Sequence, residues 1–191
     1  MGSPMADAKG YLNPEEVRTV ISHAKSLRDR LLMRILWATG CRLNEMLMLK
    51  VDDISWGDRA LYMWTLKRKE KRRYQRLVPV DEITLNLIRE HMQVYRIKKG
   101  RLFTITDRRV QQVVYEAGVS AGIPKVGSKK IHPHHFRHSH CVAWVRENQT
   151  MEGLRTLQQR VGHASINTTA HYLQFAARQQ EETVKRLFNK E

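Results

Sequence analysis

Apolar residues recur at helical spacing through the first quarter of the chain. The segment NPEE (13–16) joins a capping residue, a proline suited to the first helical turn and a glutamate that can close a capping box, so it predicts a helix start. The apolar residues that follow lie three or four positions apart, as on one helix face: Val17, Val20, Ile21, Ala24 and Leu27. Further helices are predicted over about 29–38, before a Thr-Gly turn, and over 43–49.

The hydrophobic period changes in the middle of the chain. ALYMWTL (60–66) and RLVPV (76–80) are rich in strand-forming residues and flank the basic segment KRKEKRRYQ (67–75), which predicts a strand, a turn and a strand. Residues 122–128 form a predicted loop. Helical patterns are predicted over 81–97, 107–121, 134–147, 152–161, 167–173 and 176–188. The predicted fold is mostly α with one small antiparallel β-sheet (α+β).

Length and cysteine content limit the class of protein. The chain has 191 residues, enough for one domain with a substantial core. The opening MGSP is typical of a cloning remnant, so we expect residues 1–10 to be flexible and residues 11–191 to form the domain. No apolar run reaches membrane-spanning length, no signal peptide is evident, and two cysteines, Cys41 and Cys141, are too few for a disulfide scaffold. A cytoplasmic protein is expected.

The charge balance indicates a polyanionic partner. Lys and Arg number 34 against 19 Asp and Glu, giving a formal net charge of +15. Nucleic acid is the commonest partner of so basic a chain, and an anionic membrane is the second. The basic amphipathic helix typical of membrane-surface proteins does not stand out, so nucleic acid is favoured. A well-solvated basic surface without a ligand is the alternative.

Five of the nine histidines lie in HPHHFRHSH (132–140). Two of them, His134 and His138, have the i, i+4 spacing of paired metal ligands on a helix. The stretch contains no cysteine or acidic residue, however, and the fixed positive charge of Arg137 opposes a cation. We therefore expect no metal here and consider an anion site instead.

His134 and Arg137 suit a phosphate. On a helix that begins near residue 133 they share one face, close to the helix N-terminus, where free N–H groups and the dipole also favour an anion. Arginine can bind two phosphate oxygens at once, and histidine can donate or accept a proton near neutral pH. A short HxxR pattern occurs often by chance, so other motifs have to support it.

Five motifs in order provide that support. They are TGCRLNE (39–45), RLVP (76–79), HHFRH (134–138), VGH (161–163) and TTAHY (168–172). The set resembles the catalytic domain of the tyrosine recombinases, the site-specific DNA recombinases that include phage integrases and Xer proteins. The resemblance covers nearly the whole chain from Tyr11, and five motifs in the family order are highly specific. It implies the tyrosine recombinase catalytic-domain fold.

The resemblance implies a covalent reaction with DNA. Tyr172 would attack a phosphodiester, form a 3′-phosphotyrosyl bond and release a 5′-hydroxyl. One phosphodiester is exchanged for another, so no ATP, metal or other cofactor is expected. Arg42 and Arg137 would bind the non-bridging oxygens, a role in which lysine is a poor substitute because it cannot fork.

The resemblance also assigns roles to the histidines and an acidic residue. His134 would be the acid–base group near the tyrosine or the phosphate, and His163 a hydrogen-bond donor to the phosphate. Glu45 would orient Arg42, and His138 would have a supporting role. His140 stands where the family often has an aromatic residue.

The general acid is expected to be a lysine of the hairpin. Aligned from the strand ALYMWTL, the family's lysine corresponds to Lys67, and aligned back from Pro79 it corresponds to Lys71. An insertion in the turn would account for the difference. We favour Lys67, with Lys69 second, because the first strand sets its register. The hairpin residues predicted to contact the DNA backbone are Arg68, Lys69, Lys71, Arg72, Arg73 and Arg76. A solvated charged turn is the alternative.

The resemblance further implies double-stranded DNA as partner and self-association on DNA, with a tetrameric synapse in the full-length protein. Family members usually carry an N-terminal DNA-clamping domain, which we expect to be absent here. The segment after Tyr172 predicts an amphipathic helix that packs on its own domain or on a neighbour. A catalytically silent DNA-binding relative is the alternative function, and a metal-dependent nuclease built on the histidines is a weaker one.

Overall fold

The computed structural model describes residues 10–67, 72–163 and 165–173. Residues 1–9 of the predicted flexible start (1–10) and the predicted helix over 176–188 lie outside these residues. Eight α-helices occur in the described part of the chain: α1 (Pro14–Ser22), α2 (Leu27–Thr39), α3 (Leu43–Leu47), α4 (Glu82–Val94), α5 (Asp107–Ser120), α6 (Pro133–Glu147), α7 (Met151–Val161) and α8 (Ile166–Ala170). None of them is long and apolar enough to cross a membrane.

The strands form two small antiparallel sheets. The larger has the order β1 (Ile54–Ser55), β2 (Ala60–Lys67) and β3 (Arg72–Pro79), and the smaller pairs β4 (Lys125–Val126) with β5 (Lys129–Lys130). The predicted mostly α fold with a small antiparallel sheet is confirmed. The predicted loop over 122–128 is corrected, because Gly127 at φ 59° lets the chain reverse between β4 and β5.

The hairpin of β2 and β3 is longer than the sequence predicted. Its ladder continues from Ala60↔Pro79 to Lys67↔Arg72 and includes the Thr65↔Tyr74 pair. Pairs of β-branched and aromatic residues stabilise a ladder, so residues assigned to the basic turn belong to the strands. The predicted turn over 67–75 is therefore wrong at Lys67 and over 72–75, which lie in the strands, and β1 is a strand that the sequence analysis missed.

The first helix is shorter than its apolar pattern suggested. It ends at Ser22, and Leu27 belongs to α2 instead. The physical reason is a new cap: the Ser26 hydroxyl accepts a hydrogen bond from the Asp29 backbone N–H at 3.1 Å, which starts a second helix there. The capping box predicted at Asn13 and Glu16 is present.

Gly40 ends α2 and places the next motif. Its φ of 61° lies in the left-handed region, and a Cβ at this position would meet the His140 ring at 2.5 Å. Both the backbone conformation and the close approach of α6 therefore require glycine. The tight turn delivers Arg42 to the N-terminus of α3.

The buried apolar residues form two clusters that share α6. The larger involves α1, α2, α4, α5 and the sheet, and takes Phe136 from α6. The smaller consists of Tyr11, Cys141, Val142, Val145, Leu154, Leu157, Val161 and Tyr172. Because α6 is buried by both clusters, it connects the helix bundle to α7 and to the segment that carries Tyr172.

Candidate active site

Arg42 is anchored at its base and half exposed at its tip. Its backbone N–H donates to Glu45 Oε2 at 3.0 Å, and its Nη1 donates to Glu45 Oε1 at 3.2 Å and to the Gly162 carbonyl at 3.3 Å. The side chain is 48% exposed. Arg42 is thus oriented by Glu45, as the resemblance implied, and keeps part of its guanidinium open to a ligand.

Glu45 is the centre of a buried polar network. It is 4% exposed and accepts hydrogen bonds from the Thr65 hydroxyl and from Arg76 Nη2, both at 2.7 Å. Burial by itself acts to raise the pKa of Glu45, but the hydrogen bond and charge of Arg76 outweigh it and hold the pKa below its ordinary value. The carboxylate is therefore ionised when it holds Arg42.

Arg76, which the sequence analysis predicted to contact the DNA backbone, is paired inside the protein in this structure. Its side chain is 8% exposed and forms an ion pair with Glu45 at 2.7 Å. Its Nε donates to the Arg160 carbonyl at 2.9 Å, and its Nη1 donates to the Thr65 hydroxyl. All of these partners lie inside the protein, so Arg76 holds Glu45 and the end of α7 together.

Arg137 is buried and incompletely satisfied. Its Nη1 donates to the carbonyls of Gly40 at 2.7 Å and Val161 at 2.9 Å, while the residue is only 2% exposed. Its buried Nη2 has no hydrogen-bond partner among the described residues. Burial, and then the charge of Arg42, lower the pKa of Arg137. A buried cation with an unused donor is a natural anion ligand.

Three arginines converge on the C-terminal end of α7. The carbonyls of its last residues accept in turn from Arg76, Arg137 and Arg42. The last carbonyls of a helix lack intrahelical partners and carry its partial negative charge, so they suit guanidinium groups. The end of α7 therefore holds both candidate phosphate ligands in one place.

A cleft of about 860 Å³ opens beside Arg42 and His134. The two side chains come from α3 and α6, and both line it. Desolvation, followed by the charge of Arg137, lowers the pKa of His134, so the ring is neutral near pH 7. The structure therefore brings His134 and Arg42 to a shared cavity large enough for more than one phosphate.

Tyr172 lies in the smaller apolar cluster and is 7% exposed. Its hydroxyl is 3.3 Å from His138 Nδ1, and its ring stacks on His163 with centroids 6.2 Å apart and planes 2° from parallel. Burial raises the pKa of Tyr172 well above its ordinary value, with a further contribution from Cys141. The phenol is therefore protonated, and His138 is in direct contact with it.

Two histidines beside the tyrosine are held neutral. Desolvation is the main cause that lowers the pKa of His138 and of His163 to about 4, and Arg137 adds to the effect at His163. His163 Nδ1 lies 2.9 Å from the hydroxyl of the buried Thr169. Both rings are thus unprotonated at neutral pH, and His163 is fixed in position by the TTAHY motif.

Arg160 and His140 were missed by the sequence analysis as part of the site. Arg160 Nη2 donates to the carbonyls of Ala38 at 2.6 Å and Pro79 at 2.8 Å, and its Nε donates to His140 Nε2 at 3.3 Å. His140 Nδ1 lies 2.7 Å from the Trp37 carbonyl and so carries the ring proton. This network ties the end of α7 to α2 and β3. The only sequence signal was His140 in a position where an aromatic residue is common.

The hairpin lysines are only partly described. Lys67 and Arg72 pair at the ends of β2 and β3. Their side chains and that of Arg73 lie outside the description, as do residues 68–71 with Arg68, Lys69 and Lys71. Elsewhere in the described ranges, no group of three or more His, Cys, Asp or Glu side chains is arranged to hold a metal ion.

A buried tyrosine beside two neutral histidines and two converging arginines defines a site suited to phosphoryl transfer. The chain matches the Phage integrase family over residues 10–179. XerA, a tyrosine recombinase of Pyrococcus horikoshii, is 25% identical over 178 residues, which cover 92% of this chain and 60% of that protein. This chain therefore belongs to the phage integrase family, and it spans about 60% of the length of that relative.

Solved structures show the same fold. XerH recombinase, in a post-cleavage complex with a palindromic difH substrate, aligns with a TM-score of 0.75 and 24% identity over 94% of this chain and 53% of that chain. The catalytic domain of bacteriophage HP1 integrase aligns with a TM-score of 0.64 and 22% identity over 92% of this chain and 93% of that chain. The family and the tyrosine recombinase fold inferred from the five motifs are both confirmed.

Proposed function

We propose that this protein is a site-specific DNA recombinase that cleaves and rejoins strands through a 3′-phosphotyrosyl intermediate. The observation that carries the proposal is the convergence of Arg42 and Arg137 on the end of α7, with one buried Arg137 nitrogen unpartnered among the described residues. A phosphodiester between the two arginines would supply the missing acceptor. Preorganised donors of this kind stabilise the charge that develops on phosphate oxygens during transfer.

In the proposed cleavage step, the hydroxyl oxygen of Tyr172 attacks phosphorus. A tyrosyl O–P bond forms, the P–O5′ bond breaks, the phenolic proton goes to a base and the 5′-oxygen takes a proton from an acid. A second 5′-hydroxyl reverses these changes when strands are rejoined. One phosphodiester replaces another at each step, so the reaction needs no external energy source.

The proton acceptor for Tyr172 is proposed to be His138, which lies 3.3 Å from the hydroxyl. A pKa of about 4 makes His138 a weak base in the free protein. A bound phosphodiester brings negative charge that opposes the arginines and favours the protonated imidazoles. His134 and His163 would then donate to phosphate oxygens, and substrate binding itself would activate the nucleophile.

The acid that protonates the 5′-oxygen is proposed to be Lys67, with Lys69 as the second candidate. Pairing of Lys67 with Arg72 places it at the last ladder position before the turn. Lysine suits the role because its ammonium group can donate a proton to the leaving oxygen.

The proposed substrate is duplex DNA, bound by a chain of net charge +15 in the cytoplasm. Two likenesses support this: XerH was solved with a difH substrate and a lambda integrase dimer was solved on a COC′ core site. We further propose that the whole protein assembles on DNA as a tetrameric synapse. A basic chain is steered to DNA and binds it in a salt-dependent manner.

Covalent trapping tests the proposed function. Nicked suicide duplexes of randomised sequence are incubated in EDTA with wild type, with Tyr172→Phe and with Tyr95→Phe, an exposed tyrosine on α4's C-terminal cap that serves as control. Adducts that resist SDS are expected with wild type and the control only. Adducts that persist in Tyr172→Phe would identify a different nucleophile. Absence of adducts from wild type on any sequence would favour a silent DNA-binding relative.

A further inference from the structure

The cleft beside Arg42 and His134 extends well past the candidate cleavage site. Its far wall is built from α5, from β5 and from the residue that caps α6. The permanent cations in its lining are Arg42, Lys129 and Lys130, against one carboxylate, Asp107. That carboxylate already accepts a hydrogen bond from the Arg108 backbone N–H at 2.6 Å. The lining is therefore net positive in a region to which the family motifs assign no role.

The two lysines form β5 of a short hairpin that is held in place by buried residues. Val126 and Ile131, on either side of β5, are 2% and 1% exposed, so the short β4–β5 hairpin is fixed in the core at both ends. Lys129 and Lys130 themselves are exposed. The Lys130 ammonium lies 5.1 Å from the centre of the Tyr115 ring, which also lines the cleft. Because the backbone is already fixed, binding an anion has to order only the two lysine side chains.

His132 adds a directed donor between the lysines and His134. Its Nδ1 accepts a hydrogen bond from the His134 backbone N–H at 3.3 Å, so the neutral ring carries its proton on Nε2. The His132 and His134 rings are nearly parallel, with planes 12° apart and centroids 6.3 Å apart. A continuous row of side chains therefore lines the cleft, from Arg42 through His134 and His132 to the two lysines.

We propose that the far part of this cleft binds a second backbone phosphate of the cleaved DNA strand through Lys129, Lys130 and the Nε2–H of His132. This inference rests on the proposed function and extends it to the neighbouring nucleotide. Strand phosphates follow one another at about 3.4 Å of helix rise, so a phosphate held by Arg42 and Arg137 brings its neighbour close to the same cavity. The cleft is large enough, and its charge has the required sign.

The salt dependence of DNA binding tests the two lysines. Lys129→Gln/Lys130→Gln is compared with Lys98→Gln/Lys99→Gln, which removes the same charge from an exposed pair outside the cleft lining. Loss of the contact with this one phosphate should make the slope of log Kobs against log salt less negative by about 0.9 in the cleft variant only. Equal slopes in the two variants would overturn the proposal.

Phosphate neutralisation locates the contact. Methylphosphonates are placed singly around the mapped cleavage position, and binding is measured for wild type and for the lysine variant. Wild type should lose affinity at one flanking phosphate, whereas the variant should be insensitive there. If wild type is equally insensitive, the second phosphate site is refuted while the trapping result stands. A persistent slope difference without any Tyr172 adduct would instead refute the proposed chemistry and leave an anion-binding cleft.

His132→Asn separates the imidazole donor from its structural role. Asparagine is a strong N-cap residue, so the start of α6 is kept while the Nε2–H is removed. Affinity for DNA should fall about tenfold, the size expected for a hydrogen bond to a charged group. Unchanged affinity would remove His132 from the proposed contact.

Discussion

The two halves of the candidate site differ in charge and in how far they are preorganised to bind an anion. The arginine half, made of Arg42, Glu45, Arg76 and Arg137, is charged and fixed by hydrogen bonds to the end of α7. The nucleophile half is neutral: burial raises the pKa of Tyr172 and lowers those of its histidine neighbours. One half is thus preorganised for an anion, and we propose that the other becomes reactive only when that anion binds.

Loss of the Glu45 charge should have the largest effect on the arginine half. Glu45→Gln leaves Arg76 buried without a counter-charge, and breaking a buried pair in this way typically costs about 3–5 kcal/mol of stability. The free energy of unfolding in urea measures it. Glu82→Gln is the matched control, since its pair with the half-exposed Arg89 should contribute under about 1 kcal/mol. Similar values for both variants would contradict the buried network.

Replacing the buried Arg137 guanidinium by an ammonium group should slow adduct formation even though the positive charge is kept. Arg137→Lys cannot reach the Gly40 and Val161 carbonyls and a phosphate together, so adduct formation should slow by about 10² to 10³. Single-turnover trapping measures this rate. Arg18→Lys, at an exposed arginine of α1, should react like wild type. A fall of less than tenfold at Arg137 would show that the lysine charge suffices.

Substitutions at Arg160 and His140 should have a smaller effect on stability, and the effects of the two substitutions should not be additive. Arg160→Met removes charge-assisted hydrogen bonds to one part-buried and one exposed carbonyl and should destabilise the fold by about 2 kcal/mol. Adding His140→Phe removes the ring that accepted from Arg160, so the double variant should lose less than the sum of the single changes. Adduct formation should slow more than DNA affinity falls, because α7 positions the arginines. Strict additivity would argue against the coupling.

The buried histidines, two of them in the nucleophile half, should make stability depend on pH. Burial lowers the pKa of His135, His138 and His163 to about 4 and that of His140 to about 3. Between about pH 6.5 and 4 the unfolded chain binds these protons and the folded chain does not, so stability falls as pH falls. Each such histidine contributes about 1.4 kcal/mol per pH unit.

Urea unfolding at several pH values checks this dependence. In His140→Phe, the free energy of unfolding should decrease less steeply with falling pH than in wild type. The difference should equal the contribution of one histidine with a lowered pKa. A wild-type stability that stays flat from pH 6.5 to 4 would show that the histidines are protonated in the folded protein as well.

Local features were predictable where the physical cause is itself local. The capping box at Asn13 and the start of α6 near Pro133 were predicted because caps involve residues two or three positions apart. The order of the five motifs was enough to indicate the family. The hairpin was less well predicted, since the length of a ladder depends on cross-strand pairs that no single segment reveals.

The amino-acid sequence by itself determined the helical character of the chain, its basic charge and the residues that carry the family motifs. Only the tertiary structure decided what surrounds them: Arg76 is turned inward to Glu45, His138 touches the Tyr172 hydroxyl, and Arg160 ties α7 to α2. The partners in these contacts are 31, 34 and 122 positions apart in the chain. Burial and pairing over such separations arise from packing, which sequence periodicity does not encode.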